Sequence, residues 1–393
     1  MHFFEIVERN INFVLAFPGR KFPFGRMVLG DGAAQTALAR KACAALPGAE
    51  WHAVPPDSFD VTVLSGAMTN AMFLCRIPGG QAAIVRIFGL PVPLIDRDLE
   101  MAVFDELARS GVGPGMLGII YDDGSVGGLE LKQQGKTPVG RIEEFLEGWI
   151  TLGYAHYNAH ETHLAAVFAR LASCHSVSIA SMPREPRIFN DIAAQAASVA
   201  LAAVDAGPER WETLVEARVD VAAAASALLA ELKEIKLAPE DLGFCHNDLQ
   251  HGNVMMHEPS GRYTLIDFEY AGYNPIYYDL ANVWNEVPAN YEEGCSPVGF
   301  EQDFGRGFPS AAVQCISVAS YLSAKTGRAI SVDSERVVAF VKCCQPWVRA
   351  SHLFWGLWGI LQARERRDIA LKPGEFDYAA YAANRLNALT SCP

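Results

Sequence analysis

The octapeptide His246-Asn247-Asp248-Leu249-Gln250-His251-Gly252-Asn253 and the acidic run Asp267-Phe268-Glu269, thirteen residues further on, are the groups in this chain best suited to chemistry. At this spacing Asp248 can accept the proton of a hydroxyl group. The amide of Asn253 and the carboxylate of Asp267 offer hard oxygens to a magnesium ion held with phosphates. Phosphoryl transfer from ATP to an alcohol needs such a set.

The flanking residues say how the set is positioned. Phe244-Cys245 is an apolar approach, and Val254-Met255-Met256 reads as a buried strand. A turn at Glu258-Pro259-Ser260-Gly261 returns the chain through Tyr263-Thr264-Leu265-Ile266, a second strand that delivers Asp267 beside Asn253. Upstream, Val61–Leu64, Met72–Ile77 and Ala82–Ile87 alternate as antiparallel strands joined by Ser65-Gly66-Ala67 and Pro78-Gly79-Gly80. Apolar residues at helical spacing (Leu99, Val103, Phe104, Leu107) predict a helix over 96–110, ended by Gly111. Strands follow at 115–121 and 140–145, separated by a Gly-rich looped insertion over 121–139. Beyond Leu146 the pattern is mostly helical, with Ala-rich helices at 192–204 and 221–232. The expected class is α+β: an N-terminal extension at 1–38, a small β-rich lobe with one helix at 39–145, and a large helical lobe at 146–393.

Composition narrows the function. Half of the 393 residues are hydrophobic and 20% are charged, which makes the chain globular. A net charge of −13 argues against general affinity for nucleic acid or anionic membrane and suits a cationic small molecule. Nine cysteines without a Cys-x-x-Cys spacing read as reduced thiols in a cytoplasmic protein, with neither a disulfide framework nor a zinc site. No apolar run approaches the roughly 18 residues of a membrane span. No Gly-x-x-x-x-Gly-Lys-Ser/Thr sequence is present, so a P-loop is excluded.

Longer stretches resemble the choline/ethanolamine kinases. They are Cys245 to Asn253, Ile266-Asp-Phe-Glu-Tyr-Ala-Gly-Tyr-Asn-Pro275, Tyr278-Asp-Leu-Ala-Asn282, Ala350-Ser-His-Leu-Phe-Trp-Gly-Leu-Trp-Gly-Ile360 and Phe376-Asp-Tyr-Ala-Ala-Tyr381. Leu64-Ser-Gly-Ala-Met-Thr-Asn70 and Val85-Arg-Ile-Phe-Gly89 look like that family's nucleotide loop and arginine strand. The matches run in order over about residues 40–389, in wording like that of plant-type choline kinases.

The resemblance implies a bilobal protein-kinase-like fold of the aminoglycoside phosphotransferase/choline kinase type. It implies ATP and Mg2+, a homodimer, and choline or ethanolamine as the acceptor. Ser65 to Asn70 then cover the phosphates, and Arg86 pairs with phosphate and with Glu100. Glu143 to Leu146 form a hinge in which Glu144 and Leu146 read adenine, and Gln250 lies near the phosphates. Asp248 is the catalytic base and meets the acceptor hydroxyl, while Asn253 and Asp267 hold the metal. Tyr270, Tyr291, Trp355, Trp358, Phe376, Tyr378 and Tyr381 form an aromatic pocket faced by the acid Glu286. Spacing alone puts Trp355 and Trp358 on one helix face, where such a pair is ordinarily core. Aromatic faces also attract a quaternary ammonium, each by about 0.5–2 kcal/mol. An all-aromatic cage favours choline, with ethanolamine or both as alternatives. A catalytically inactive kinase-fold binding protein is expected only if Asp248, Asn253 and Asp267 were not functional. An aminoglycoside acceptor would call for acidic residues in place of the C-terminal aromatics.

Overall fold

The computed structural model describes residues 32–64, 70–89, 97–130, 134–159, 161–180, 182–205, 220–366 and 370–391. The chain divides into two compact units, on either side of Gly148 and Trp149.

The first unit opens with helix α1 (Gly32–Ala44), whose small residues Ala39, Ala42 and Cys43 are buried. The boundary expected at 38–39 therefore falls inside a helix. Alanines give α1 little amphipathic contrast, so periodicity did not reveal it. Six strands follow: β1 (Asp60–Leu64), β2 (Asn70–Arg76), β3 (Ala82–Phe88), β4 (Met116–Tyr121), β5 (Val126–Gly127) and β6 (Pro138–Glu144). They form one sheet in the order β1-β2-β3-β6-β4-β5, with every neighbouring pair antiparallel. Alternation decides the faces: Phe73, Cys75, Val85, Ile87 and Ile142 point into a core closed by α1 and by Trp51 and Phe59. The β2–β3 turn uses Gly79 at φ 69°, a conformation open to glycine. Gly140 is demanded by close approach, since a Cβ there would lie 2.5 Å from the Arg86 carbonyl oxygen. Helix α2 (Arg97–Arg109) buries Met101, Val103, Phe104 and Leu107. The insertion read as a loop contributes an edge strand, β5, which pairs with Ile119 and Ile120 of β4.

The second unit is mainly helical: α3 (Tyr154–Ala159), α4 (Glu161–Cys174), α5 (Ile188–Asp205), α6 (Val221–Lys233), α7 (Ile276–Glu286), α8 (Ala311–Thr326), α9 (Glu335–Glu365) and α10 (Tyr378–Ser391). Every residue of α7 is buried, against α9 among others, so its polar residues Asp279, Asn282, Asn285 and Glu286 face protein and not solvent. Ser310 and Ser334 cap α8 and α9 by accepting from Val313 and Val337 backbone N–H. Short strands carry the two acidic motifs: β8 (Leu242–Cys245), β9 (Val254–His257), β10 (Arg262–Leu265) and β11 (Gly272–Pro275). The expected hairpin is β9–β10, turned at Gly261 with φ 62°; β7 (Ile150–Thr151) adds to its other side. The pairing of β8 with β11 was not expected, because Gly-Tyr-Asn-Pro reads locally as a turn. Among the described residues no helix is long and apolar enough to cross a membrane.

Candidate active site

In the first unit, register sets up an electrostatic problem and Glu143 solves it. Arg86 on β3 lies directly opposite Arg141 on β6, a like-charge pair that repels. Glu143, two residues along the same face, accepts from Arg86 Nε at 3.0 Å and from Arg141 Nε at 2.7 Å. Arg141 also pairs with Glu100, which accepts from Arg97 at 2.6 Å, and stacks 4.3 Å over Phe104. Arg86 and Glu100 are therefore joined through Glu143 and Arg141, in place of the direct pair expected from the sequence. Burial works against ionisation of Glu143 and Glu100, but the guanidinium groups outweigh it and hold both carboxyls below the usual range. Their stabilising contribution is present above the ordinary carboxylate range and is lost as pH falls through the depressed values. Glu143→Gln is expected to cost about 3–5 kcal/mol in urea unfolding, because two buried guanidinium groups lose their shared charge. A loss below about 1 kcal/mol contradicts that role.

The remaining nucleotide candidates of this unit are less uniform. Ser65 lies outside the described residues, and Asn70 is buried at the start of β2, opposite Phe88. Glu144 has both its groups on Gly115: its N–H donates to the Gly115 carbonyl at 2.8 Å and its carboxylate accepts from Gly115 N–H at 3.0 Å. Leu146 is half-buried just beyond β6.

In the second unit the acidic motifs converge. His246 and Asn247 donate their backbone N–H groups to Asp279 of α7, each at 2.8 Å, and His175 Nε2 reaches the same carboxylate at 3.0 Å. Asn247 sits at φ 68°, which Asn tolerates better than most residues, and its side chain bonds Tyr270 O at 2.9 Å and Asn274 Nδ2 at 2.9 Å. Asp248 is thereby presented from a pinned loop. Asn253 donates its Nδ2 to Asp248 O at 2.7 Å and to Asp248 Oδ2 at 3.1 Å, which leaves its Oδ1 as an acceptor. Gln250 Nε2 approaches that Oδ1 at 3.3 Å, so Gln250 orients Asn253. Ile266 N–H closes on Asn253 O at 3.0 Å, bringing Asp267 alongside, itself at φ 64°. His246 Nε2 meets Ile266 O at 2.8 Å and its ring packs on Phe268 at 4.6 Å. Burial pushes the Asp248 carboxyl well above its ordinary value, helped by the charges of Glu286, Asp267 and Glu269, while Asn253 opposes the shift. Such crowding of acids suits a site that receives cations.

The aromatic candidates form one contiguous group. Tyr270 meets Trp355 edge-on at 5.3 Å, Trp355 meets Trp358 at 5.4 Å, and Trp358 meets Tyr378 at 5.6 Å and Tyr381 at 6.1 Å. Phe376 contacts Tyr378 at 4.9 Å, Tyr381 at 5.3 Å and Tyr291 at 6.1 Å. Polar atoms fix the rings, since Trp358 Nε1 donates to Tyr270 OH at 3.0 Å and Trp355 Nε1 donates to Asn282 at 3.0 Å. Tyr291 and Phe376 are half-buried and the others buried. Tyr378 is partly engaged already, with Arg366 4.6 Å over its ring and bonded to its hydroxyl at 2.8 Å.

Glu286, expected as an acid open to an ammonium, has a partner on each oxygen. Arg385 of α10 pairs with Oε1, and Tyr291 OH donates to Oε2 at 2.9 Å. Arg385 is fully buried, donates to Tyr381 OH at 3.2 Å and lies 5.2 Å over the Tyr381 ring. Sequence reasoning missed Arg385, although its spacing of four from Tyr381 puts both on one helix face. It also missed the anchor Asp279, despite quoting the motif around it, and its partner His175.

A β-sheet unit with a buried Arg–Glu chain, followed by a helical unit carrying Asp248, Asn253 and Asp267, has the protein-kinase-like fold. A solved choline kinase from Cryptosporidium parvum matches at a TM-score of 0.67 and 21% identity, covering 92% of this chain and 95% of that one. A Plasmodium vivax ethanolamine kinase matches at 0.65 and 18% identity, covering 85% and 83%. The chain belongs to the choline/ethanolamine kinase family, whose profile matches residues 61–390. A probable choline kinase of Arabidopsis thaliana is 31% identical over 351 residues, 86% of this chain and 88% of that protein. The human choline/ethanolamine kinase is 26% identical over 364 residues, 87% and 82%.

Proposed function

We propose that this protein is a choline kinase, transferring the γ-phosphoryl group of ATP to the hydroxyl of choline to give phosphocholine and ADP. The observation that carries the choice of acceptor is the contiguous ring group from Tyr270 through Trp355 and Trp358 to Tyr381, Phe376 and Tyr291. A trimethylammonium has no N–H to donate, and ring faces hold it without requiring acceptors. With Glu286 paired to Arg385, the rings and Asp248 supply most of the attraction for the cation.

Asp248 takes the hydroxyl proton as the choline oxygen bonds to the γ-phosphorus and the bond from that phosphorus to the β-phosphate oxygen breaks. Gln250 and the Ile266 N–H hold Asn253 and the adjacent Asp267 in place. The amide oxygen of Asn253 and the carboxylate of Asp267 are hard donors of the kind magnesium takes, and they would hold it; bound there, it neutralises phosphate charge. In the first unit, Arg86 and the segment from Ser65 to Asn70 serve the nucleotide phosphates. Leu146, and the backbone carbonyl of Glu144, whose N–H already donates to Gly115, offer backbone groups to adenine.

The proposal is tested by ADP release at matched concentrations of choline, ethanolamine and an aminoglycoside. Choline is expected to be turned over with the highest kcat/KM, and a preference for the aminoglycoside contradicts the assignment. Trp355→Ala is expected to raise KM for choline about tenfold or more, with KM for ATP moved far less. Trp355→Phe is expected to keep most of the choline affinity, and equal changes in both KM values would make Trp355 a core residue only. Ethanolamine is the second reading, favoured by the carboxylates about Asp248. With reduced thiols and no membrane-spanning helix among the described residues, a cytoplasmic location is part of the proposal.

A further inference from the structure

An acceptor with a hydroxyl at one end and a cation at the other requires Asp248 and the ring group to stand at a fixed spacing. The backbone alone stops short of setting it. Strands β8 and β11 pair for the last time at Cys245 and Gly272. Asp248 follows that pair on one strand and Tyr270 precedes it on the other, and the backbone N–H of Asn247 is taken by Asp279. Side chains continue the link where the ladder ends.

Asn247 Nδ2 donates to Tyr270 O at 2.9 Å and to Gly272 O at 3.4 Å, while its Oδ1 accepts from Asn274 Nδ2 at 2.9 Å. Asn274 Oδ1 in turn accepts from the backbone N–H of Ile188, the first residue of α5, at 2.8 Å. This relay starts at an N–H, which only donates, and ends at a carbonyl, which only accepts, so both amides are oriented one way. Asn274 is 1% exposed and Asn247 3%, so a bond lost here leaves a buried polar atom unsatisfied. Arg187 grips the same segment, with Nη1 on Ala271 O at 3.0 Å and Tyr270 O at 3.4 Å and with Nε on Asp191 at 2.7 Å. Asn274 carries that hold on to the residue beside Asp248.

We propose that Asn274 is a positioning residue that fixes the spacing between Asp248 and Tyr270, and thereby selects acceptors by the length between hydroxyl and cation. This rests on the choline kinase reading, which assigns the two ends of one acceptor to those two residues. The experiment compares choline with 3-hydroxypropyltrimethylammonium, one methylene longer, in wild type, Asn274→Asp and Asn247→Asp, with Tm and KM for ATP measured for each. Asn274→Asp keeps the bond from Ile188 and loses the donation to Asn247. Asn247→Asp keeps the bond from Asn274 and loses the donation to Tyr270, so the two variants cut one relay at different bonds. In both, kcat/KM for choline over the longer acceptor is expected to fall about tenfold, with KM for ATP within about twofold. Equal losses on both acceptors, which leave the ratio unchanged, make Asn274 merely structural and overturn the assignment. If Asn274→Asp does not fold, Asn247→Asp carries the same test; failure of both to fold also overturns it. A wild type that uses both acceptors equally overturns this inference alone, whereas one inactive on both removes the choline kinase reading with it.

Discussion

Asp248→Ala is expected to lower kcat by at least two orders of magnitude, about the range for loss of a positioned general base, while the protein still folds. Asp248→Asn separates charge from shape, because the amide can still meet Asn253 Nδ2, which now donates to Asp248 Oδ2 at 3.1 Å. Its kcat should fall as far as that of the alanine variant. Stability should move the other way. Burial and the charges of Glu286, Asp267 and Glu269 raise the Asp248 carboxyl well above its ordinary value. A carboxyl raised in the folded state favours folding below the ordinary carboxylate range and loses that contribution as pH rises through the shifted value. At neutral pH removal of this charge therefore leaves Tm unchanged or higher. Near-normal turnover by either variant contradicts the mechanism and revives the inactive binding protein. A large fall in Tm would make Asp248 a structural group.

Asp279→Ala carries the second large effect, on stability first and activity through it. One carboxylate receives the N–H groups of His246 and Asn247 at 2.8 Å each and His175 Nε2 at 3.0 Å. Its removal leaves two buried backbone donors unsatisfied, each costing about 1–3 kcal/mol, beside a small cavity. The expected loss is about 3 kcal/mol or more in urea unfolding, with turnover reduced because Asn247 is no longer held at φ 68° ahead of Asp248. Asp279→Asn should not rescue it, since an amide NH2 faces at least one donor. A loss within about 1 kcal/mol would show that the loop is held by its other bonds, such as Asn247 to Tyr270 O.

Local patterns carried much of this fold and site. Alternation marked the strands of the first unit, Pro78-Gly79-Gly80 marked their turn, and the His246–Asn253 spacing with Asp267 was read as a strand–turn–strand unit. What escaped were arrangements decided by partners far along the chain. Arg385 and Glu286 are 99 residues apart and neither spacing nor charge links them. The choice of Glu143 over Glu100 as partner of Arg86 depends on the β3–β6 register, which puts Arg141 opposite Arg86. Gly272–Pro275 looks like a turn until β8 supplies the ladder. Helix α7 hides its role because its polar residues Asp279, Asn282, Asn285 and Glu286 are buried, although at helical spacing they read as a stripe facing solvent.

The central claim is transfer of a phosphoryl group to choline, and the most direct measurement follows both products together. Wild-type protein with ATP, Mg2+ and choline is monitored by 31P NMR for phosphocholine and by a coupled assay for ADP. The expected result is phosphocholine and ADP formed one for one, abolished in Asp248→Asn. ADP without phosphocholine, or no ADP with choline at any concentration, would contradict it.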